Sequence, residues 1–391
     1  MIKIFFYIDV LLVGGIEKVL IELLKNLNKE KFEITLVIGY KLYELEKLIT
    51  DVPENVKIKY IFQENIFVSY KKKKVQGKLK KIEKILFESQ SWLRKKILKY
   101  KLKKIIDKDS ILVDYDMTLA PIISNFSIFK ITFCHFSLKN YNRGIERRQK
   151  RLGKRLNFYD NIFVISDEMK KEALQMYPFL SDKLIRMYNS FNIDDIKQKA
   201  NSYSVSNHEK YILSIGRLEE TQKDFKTLIK AYASIEKDID MKLYIIGDGR
   251  YREALEEQVK FLNLSDKIIF LGFIKNPYPY IKNASLFVHS SKFEGLPTVL
   301  IEALLLEKII IATNCPTGPK EILNYGKNGI LVDIGDYKTM AYYMREILLK
   351  KINITDYLKN SKEWSKEFDC HAILQKFEKY IENSYKIRKG L

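Results

Sequence analysis

The sequence predicts an α/β fold built from two doubly wound parallel sheets, each with its own core. Short apolar runs alternate with amphipathic stretches along nearly the whole chain, the pattern of parallel strands joined by crossover helices. At 391 residues the chain is long enough for two cores. A polar stretch after Asn192, IDDIKQKANSYSVSNHEK, divides the pattern into two series and reads as a linker over 192–209.

The first domain is expected over residues 1–191, with strands near 2–8, 32–39, 57–62, 110–114, 129–134 and 161–165. The opening MIKIFFYIDVLLVGG has the apolarity of a signal peptide, but Lys3 and Asp9 interrupt it. It runs straight into the Gly14-Gly15 turn and a helical pattern, so it reads as the first buried strand. No stretch approaches the roughly 18 apolar residues of a membrane span. Cys134, Cys315 and Cys370 make no disulfide framework and fit a reducing compartment.

The charge is concentrated. Residues 71–108 carry sixteen Lys or Arg against three acidic residues, +13 of the formal +20. Apolar residues from Leu79 to Ile106 recur through this run at helical spacing, with Trp92 and Tyr100 among them. Basic amphipathic helices follow, suited to an anionic membrane surface through Lys71–Lys108. A solvated helix face is the plainer reading. No recognised nucleic-acid module accompanies the charge, so no nucleic-acid partner is expected.

The second domain is expected over 210–365, with strands near 210–215, 242–246, 267–271, 285–289, 308–312 and 329–332. The 366–391 tail reads as an amphipathic helix from about Phe368 to Tyr385. Within the domain, YILSIGRLEETQKDFKTLIKAY is a buried strand, a turn and a helix. Arg217 at the strand's end and Lys223 at the helix's start set two cations at a sheet's carboxyl edge, where open α/β folds bind ligands. Further on, FEGLPTVLIE follows a short strand, and Pro297 suits a helix's first turn. The unpaired N–H groups of Gly295, Leu296, Pro297 and Thr298 as a turn would receive phosphate or sugar hydroxyls, although proline itself supplies none. Glu294 and Glu302 bracket that turn, on the order of 10 Å apart at helical rise, and suit the two ends of a long polar ligand.

Other signals carry less. Asp114-Tyr115-Asp116 and Asp238-Ile239-Asp240 have the D-x-D form that can hold a divalent ion, but such triplets are frequent by chance in a charged chain. Gly247-Asp248-Gly249 lacks the third glycine of a dinucleotide fingerprint and reads as a tight turn. His208, His289 and His371 have no partners at metal-ligand spacing and read as structural.

In order and spacing, GR-x5-K, IIGDG, LGFI, FEGLPTVLIE and ATNCPTGPKEIL resemble the retaining nucleotide-sugar glycosyltransferases of the GT-B group, family 4. The resemblance is close over about 210–335 and looser in the first half, through VGGIEKVLIELLKNL and VISDEMKKEAL. It implies two Rossmann-like domains facing a cleft, the first binding the acceptor and the second the nucleotide sugar. It also implies a tail helix that crosses back to the first domain.

The resemblance implies site roles as well. Arg217 and Lys223 would stabilise the departing diphosphate, making a metal or other cofactor unnecessary. Glu302 would bind the ribose and Glu294 the donor sugar. Backbone near Phe273 and Ile274 would hold the base, and His135, at the end of FKITFCH, would lie beside the donor sugar. Gly14 and Gly15 would close over the diphosphate, using glycine's freedom at that turn. The candidate catalytic residues are thus His135, Arg217, Lys223 and Glu294. CPTGPKEI resembles segments of bacterial enzymes of capsule, O-antigen or lipid-linked glycan assembly, with UDP as the usual nucleotide of the group. That implies a cytoplasmic enzyme at the inner face of the cell membrane.

Two rival readings stand against transfer. One is a basic nucleic-acid- or membrane-binding protein on the same scaffold without activity. The other is a dehydrogenase or epimerase, which requires a glycine fingerprint that VLLVGGIEKV does not supply.

Overall fold

The computed structural model describes residues 1–141, 145–205 and 210–390. It contains two compact units. The first comprises Met1–Ile165, Lys170–Ser190 and Cys370–Leu391; the second comprises Ser166–Met169 and Phe191–Asp369.

The first unit is a seven-stranded parallel sheet. Its strands are β1 (Ile2–Ile8), β2 (Phe32–Tyr40), β3 (Lys57–Phe62), β4 (Ile111–Asp114), β5 (Phe129–Cys134), β6 (Asn161–Val164) and β7 (Leu184–Arg186), in the order β3-β2-β1-β4-β5-β6-β7. Ile4 to Ile8 of β1 are all buried, as expected of a strand covered on both faces. Tyr7 lies opposite Asp114 in the β1–β4 register, so both strands end at one carboxyl edge. The chain reverses its direction of winding between β1 and β4, the kind of place where open sheets bind ligands. The sequence pattern does not mark β7, which is three residues long with only Leu184 buried.

The helix Cys370–Lys389 belongs to the first unit and buries Ile373, Leu374, Phe377 and Ile381 at helical spacing. The Phe377 ring lies 5.9 Å from that of Phe163 on β6. Glu378 accepts the Asn28 N–H at 2.9 Å.

The basic stretch forms three helices, Ile66–Val75, Lys81–Ser89 and Ser91–Ile105. Phe87, Leu98 and Leu102 are buried, whereas Ile82, Ile85, Leu86, Trp92, Leu93 and Tyr100 are exposed. Lys71, Lys72, Lys73 and Lys74 pair with Asp9, Glu44, Glu83 and Glu88, so the first four charges of the run are engaged within the unit.

The second unit is a six-stranded parallel sheet. Its strands are β8 (Tyr211–Ile215), β9 (Lys242–Ile246), β10 (Ile268–Gly272), β11 (Leu286–His289), β12 (Ile310–Thr313) and β13 (Ile330–Val332), in the order β10-β9-β8-β11-β12-β13. Its core gathers Leu228, Ile229 and Tyr232 from the helix after β8, Leu243 and Ile245 from β9, and Val288 and Ile311 from the central strands.

The stretch expected to be a linker differs. Ile193–Ala200 is a helix of the second unit, with Ile196 and Ala200 buried and the Asn192 side chain accepting the Asp195 N–H at 3.0 Å. An Asn cap followed by two aspartates is a helix-start signal that the polarity of the stretch obscures. Residues 206–209, His208 among them, lie outside the described residues. Among the described residues, no helix is long and apolar enough to cross a membrane.

Candidate functional site

The site elements of the second unit grow from the carboxyl ends of β8 and β11, which pair directly (Leu286 with Ile212). Beyond β8, the helix Phe225–Ala233 is preceded by Asp224 in the left-handed region (φ 50°). Lys223, expected at the helix's start, thus sits in the turn, and the helix begins two residues after it. The loop after β11 is fastened to that turn: the Ser290 hydroxyl donates to the Lys223 carbonyl at 2.9 Å, and the Lys292 N–H to the Gln222 carbonyl at 2.7 Å.

These bonds bring Lys223 and Glu294 together. Lys223 Nζ lies 2.5 Å from Glu294 Oε1. The same oxygen meets His289 Nε2 at 3.0 Å and accepts from Ser291 Oγ at 2.5 Å. Among the described residues its other oxygen, Oε2, has Gln222 Nε2 alone, at 3.4 Å. Burial alone would favour a neutral carboxyl, but the Lys223 ammonium and the His289 ring outweigh it and hold Glu294 well below the usual carboxylate range. Burial pushes His289 down, so its ring is neutral. Glu219 pairs instead with Arg250 at 2.8 Å, and Glu220 accepts the Phe225 N–H at 2.9 Å.

The helix after Glu294 begins later than the sequence pattern implies. Thr298–Leu305 is helical, and Pro297 is the extended residue before it. Gly295 and Leu296 are therefore loop, braced by the CPTGPKE segment. Thr317 Oγ1 donates to the Gly295 carbonyl at 3.0 Å, and the Glu294 N–H donates to the Pro316 carbonyl at 2.7 Å. A Cβ on Gly318 (φ +91°) would stand 2.3 Å from the Gly295 oxygen, so only glycine lets the two loops approach. Thr298 opens the helix with no side-chain cap, so first-turn N–H groups there have no intrahelical partner. Glu302 is buried one turn into the helix.

Arg217 follows β8 and is exposed. Gly247 (φ +141°) packs on this turn: a Cβ there would lie 1.9 Å from the Gly216 carbonyl. Gly247-Asp248-Gly249 thus shapes the Arg217 loop. Phe273, exposed, and Ile274, half-buried, follow β10 directly.

In the first unit, Gly14 is the extended residue (φ −161°) before the helix Gly15–Asn26. It does not use the conformational freedom expected of it, and a Cβ there would meet only the mobile Glu17 carboxylate. His135 follows β5, buried, its ring 4.6 Å from that of Tyr115. Burial pushes its pKa down to about 3, and Nε2 has no partner among the described residues. The D-x-D triplets are otherwise engaged. Asp114 accepts from Leu119 N–H at 2.7 Å and from the Tyr159 hydroxyl, and Asp238 pairs with Arg345 at 2.7 Å.

Several residues of the second unit's site are not marked by sequence alone. His289 and Ser291 have no spacing signature. Glu321 accepts the N–H groups of Asp167 and Glu168 at 2.8 and 3.0 Å, while the Glu168 carboxylate accepts from Gly318 N–H at 2.9 Å. Such pairs, about 150 residues apart, become visible only in the fold. Chemically, the unit offers a buried carboxylate with one lightly engaged oxygen, a lysine paired to it and a helix start close by in sequence.

Comparison with known proteins agrees. The family described as "Glycosyl transferases group 1" matches residues 195–365. An uncharacterised glycosyltransferase of Methanocaldococcus jannaschii is 30% identical over 82% of this chain and 93% of its own. The N-acetylgalactosamine-N,N'-diacetylbacillosaminyl-diphospho-undecaprenol 4-alpha-N-acetylgalactosaminyltransferase of Campylobacter jejuni is 31% identical over 54% of this chain and 57% of its own. Among solved structures, a variant of S. aureus TarM in complex with Fondaparinux, alpha-GlcNAc-glycerol and UDP covers 97% of this chain and 100% of its own, with a TM-score of 0.77 and 15% identity. Two Rossmann-like parallel-sheet units of the GT-B kind and a relative matched along most of both chains make this protein a glycosyltransferase of group 1.

Proposed function

We propose that the protein transfers a sugar from a UDP-sugar to a hydroxyl of a lipid-linked or growing cell-surface glycan, with retention at the anomeric carbon and without a metal ion. The observation that carries this is the buried Lys223–Glu294 pair just before the helix that starts at Thr298. On this reading the diphosphate takes Lys223 as its counter-charge, with Arg217, while N–H groups around Gly295 to Thr298 receive its oxygens. Preorganised donors of this kind are commonly the largest catalytic contribution. Glu294 Oε2 accepts hydroxyls of the donor sugar, Glu302 those of the ribose, and backbone after β10 near Phe273 and Ile274 holds the base. Gly14, Gly15 and His135 act in the first unit, His135 through its unpartnered Nε2.

In the reaction, the bond from the anomeric carbon to the diphosphate oxygen breaks as the acceptor oxygen bonds to that carbon on the same face, and the acceptor hydroxyl's proton passes to the departing diphosphate oxygen. No protein nucleophile is assigned. The names of relatives that act on diphospho-undecaprenol glycans support a lipid-linked glycan acceptor, and the UDP bound in solved structures of like fold supports a UDP-sugar donor. The exposed cations and apolar residues between Lys78 and Lys104 support contact with the inner face of an anionic membrane. A UDP-release assay with lipid-linked acceptors, followed by NMR of the product's anomeric proton, tests the reading. An inverted product or the absence of glycan product would overturn it.

A further inference from the structure

Glu294 has an unusual set of partners for a buried carboxylate. Its Oε1 meets one cation, Lys223, and two neutral groups, His289 and Ser291. On the reading above, Lys223 is also the group that turns to the diphosphate. When it does so, a carboxylate only 5% exposed loses its ionic partner. An uncompensated buried charge is costly, and a free carboxylate would rotate or move to find another donor.

The structure assigns His289 as the residue that prevents this. We propose that His289 is a positioning residue, holding Glu294 through Nε2–H so that Oε2 stays directed to the donor sugar while Lys223 is engaged with the diphosphate. The proposal rests on the roles given above to Glu294 and Lys223.

Its physical basis is rigidity and charge. His289 is the last residue of β11, which lies between β8 and β12 in the interior of the sheet. It is 2% exposed and paired in register with Ala312. Its ring is therefore fixed by the sheet, whereas Lys223 and Ser291 come from loops. An ionised Glu294 has no proton to give, so the 3.0 Å contact requires the proton to be on His289 Nε2. A neutral donor also suits the task better than a second cation. It satisfies the carboxylate without competing with Lys223 for the diphosphate.

The test compares His289→Leu, which fills the space without a donor, with His289→Gln, whose side-chain amide can restore the N–H. Purified full-length proteins are assayed for kcat and KM with the nucleotide sugar, and for thermal stabilisation by UDP, which lacks the sugar. The proposal expects kcat to fall about 10- to 100-fold in the Leu variant, the scale of one hydrogen bond to a charged group. It expects the UDP shift to persist and Gln to recover most of kcat. A Leu variant within about twofold of wild-type kcat, or a Gln variant as poor as a folded Leu variant, overturns it. Should Leu not fold, His289→Asn replaces it, its amide being too short to reach Oε1; Asn as active as Gln then overturns the proposal. Glu294→Gln is run alongside. Full activity there removes the role given to Glu294, whereas loss there with an active Leu variant removes only the role of His289.

Discussion

Lys223 and Glu294, 71 residues apart, form one ion pair, with Nζ 2.5 Å from Oε1 and both side chains largely buried. The family resemblance gives them separate tasks, Lys223 at the departing diphosphate and Glu294 at the donor sugar. The fold makes them one ion pair, which on the proposed function opens as the donor enters, so substitutions at Lys223 are expected to affect stability as well as turnover.

Lys223→Ala is expected to lower kcat by about 10² or more, the scale of losing one charge-stabilising donor. It should also cost about 2 kcal/mol of stability, less than a fully stranded buried charge because His289 and Ser291 remain. Steady-state kinetics with urea unfolding of the same protein separates the two effects. Near-normal kcat contradicts the assignment.

Gly318→Ala and Gly335→Ala both place an alanine at positive φ, +91° and +79°. At Gly335 nothing lies within 4 Å of the new Cβ, whereas at Gly318 the Gly295 carbonyl lies at 2.3 Å. The expected costs are about 1 kcal/mol at Gly335, from backbone strain, and about 3 kcal/mol or more at Gly318. Only Gly318→Ala should also reduce turnover, because the Gly295–Leu296 loop must shift. Urea midpoints and kcat read both; equal costs at the two positions would contradict the packing argument.

His135 gives the first unit a defined acid sensitivity. Its pKa falls from an ordinary 6.5 to about 3 on folding, so between these values the unfolded chain binds the extra proton. Stability from this group is therefore complete above about pH 6.5 and declines as pH falls, by about 1.4 kcal/mol per pH unit. Asp114, raised to about 6 by burial, acts in the opposite sense between its ordinary 3.8 and that value. The comparison must therefore be differential. From pH 7 to 5, wild type should lose about 2 kcal/mol relative to His135→Gln by urea unfolding. Parallel pH profiles for the two proteins would contradict this.

Membrane contact, if made by the basic helices, should depend on the exposed cations and not on the paired ones. Replacing Lys95, Lys96, Lys103 and Lys104 with Gln is expected to weaken sedimentation with anionic vesicles by about 1 kcal/mol per charge. Replacing Lys72 and Lys74, which already face Glu44 and Glu88, should weaken it less. Equal losses would place the contact elsewhere.

Most of the sheet framework is legible in the sequence, because strands covered on both faces must be continuously apolar. Expected and observed limits, such as 129–134 for β5 and 242–246 for β9, coincide or differ by a residue or two. What escapes is decided at long range. The helix after Glu294 starts at Thr298 because the loop before it is held by Pro316 and Thr317, which no local pattern reveals. Residues 192–205 look like a linker because their apolar face is only Ile196 and Ala200. Glu294 is found through its motif, but His289 is not, since its significance lies in a 3.0 Å contact across a loop.

The proposed function requires a metal-free nucleotide-sugar site in the second unit. The most direct measurement is thermal stabilisation of the purified protein by UDP-, GDP- and CDP-sugars with EDTA present throughout, because a ligand that binds only the folded state raises the melting point. A clear shift with the UDP-sugars that is lost in Glu302→Ala is expected. No shift with any nucleotide sugar, or one that appears only when a divalent ion replaces EDTA, would contradict it.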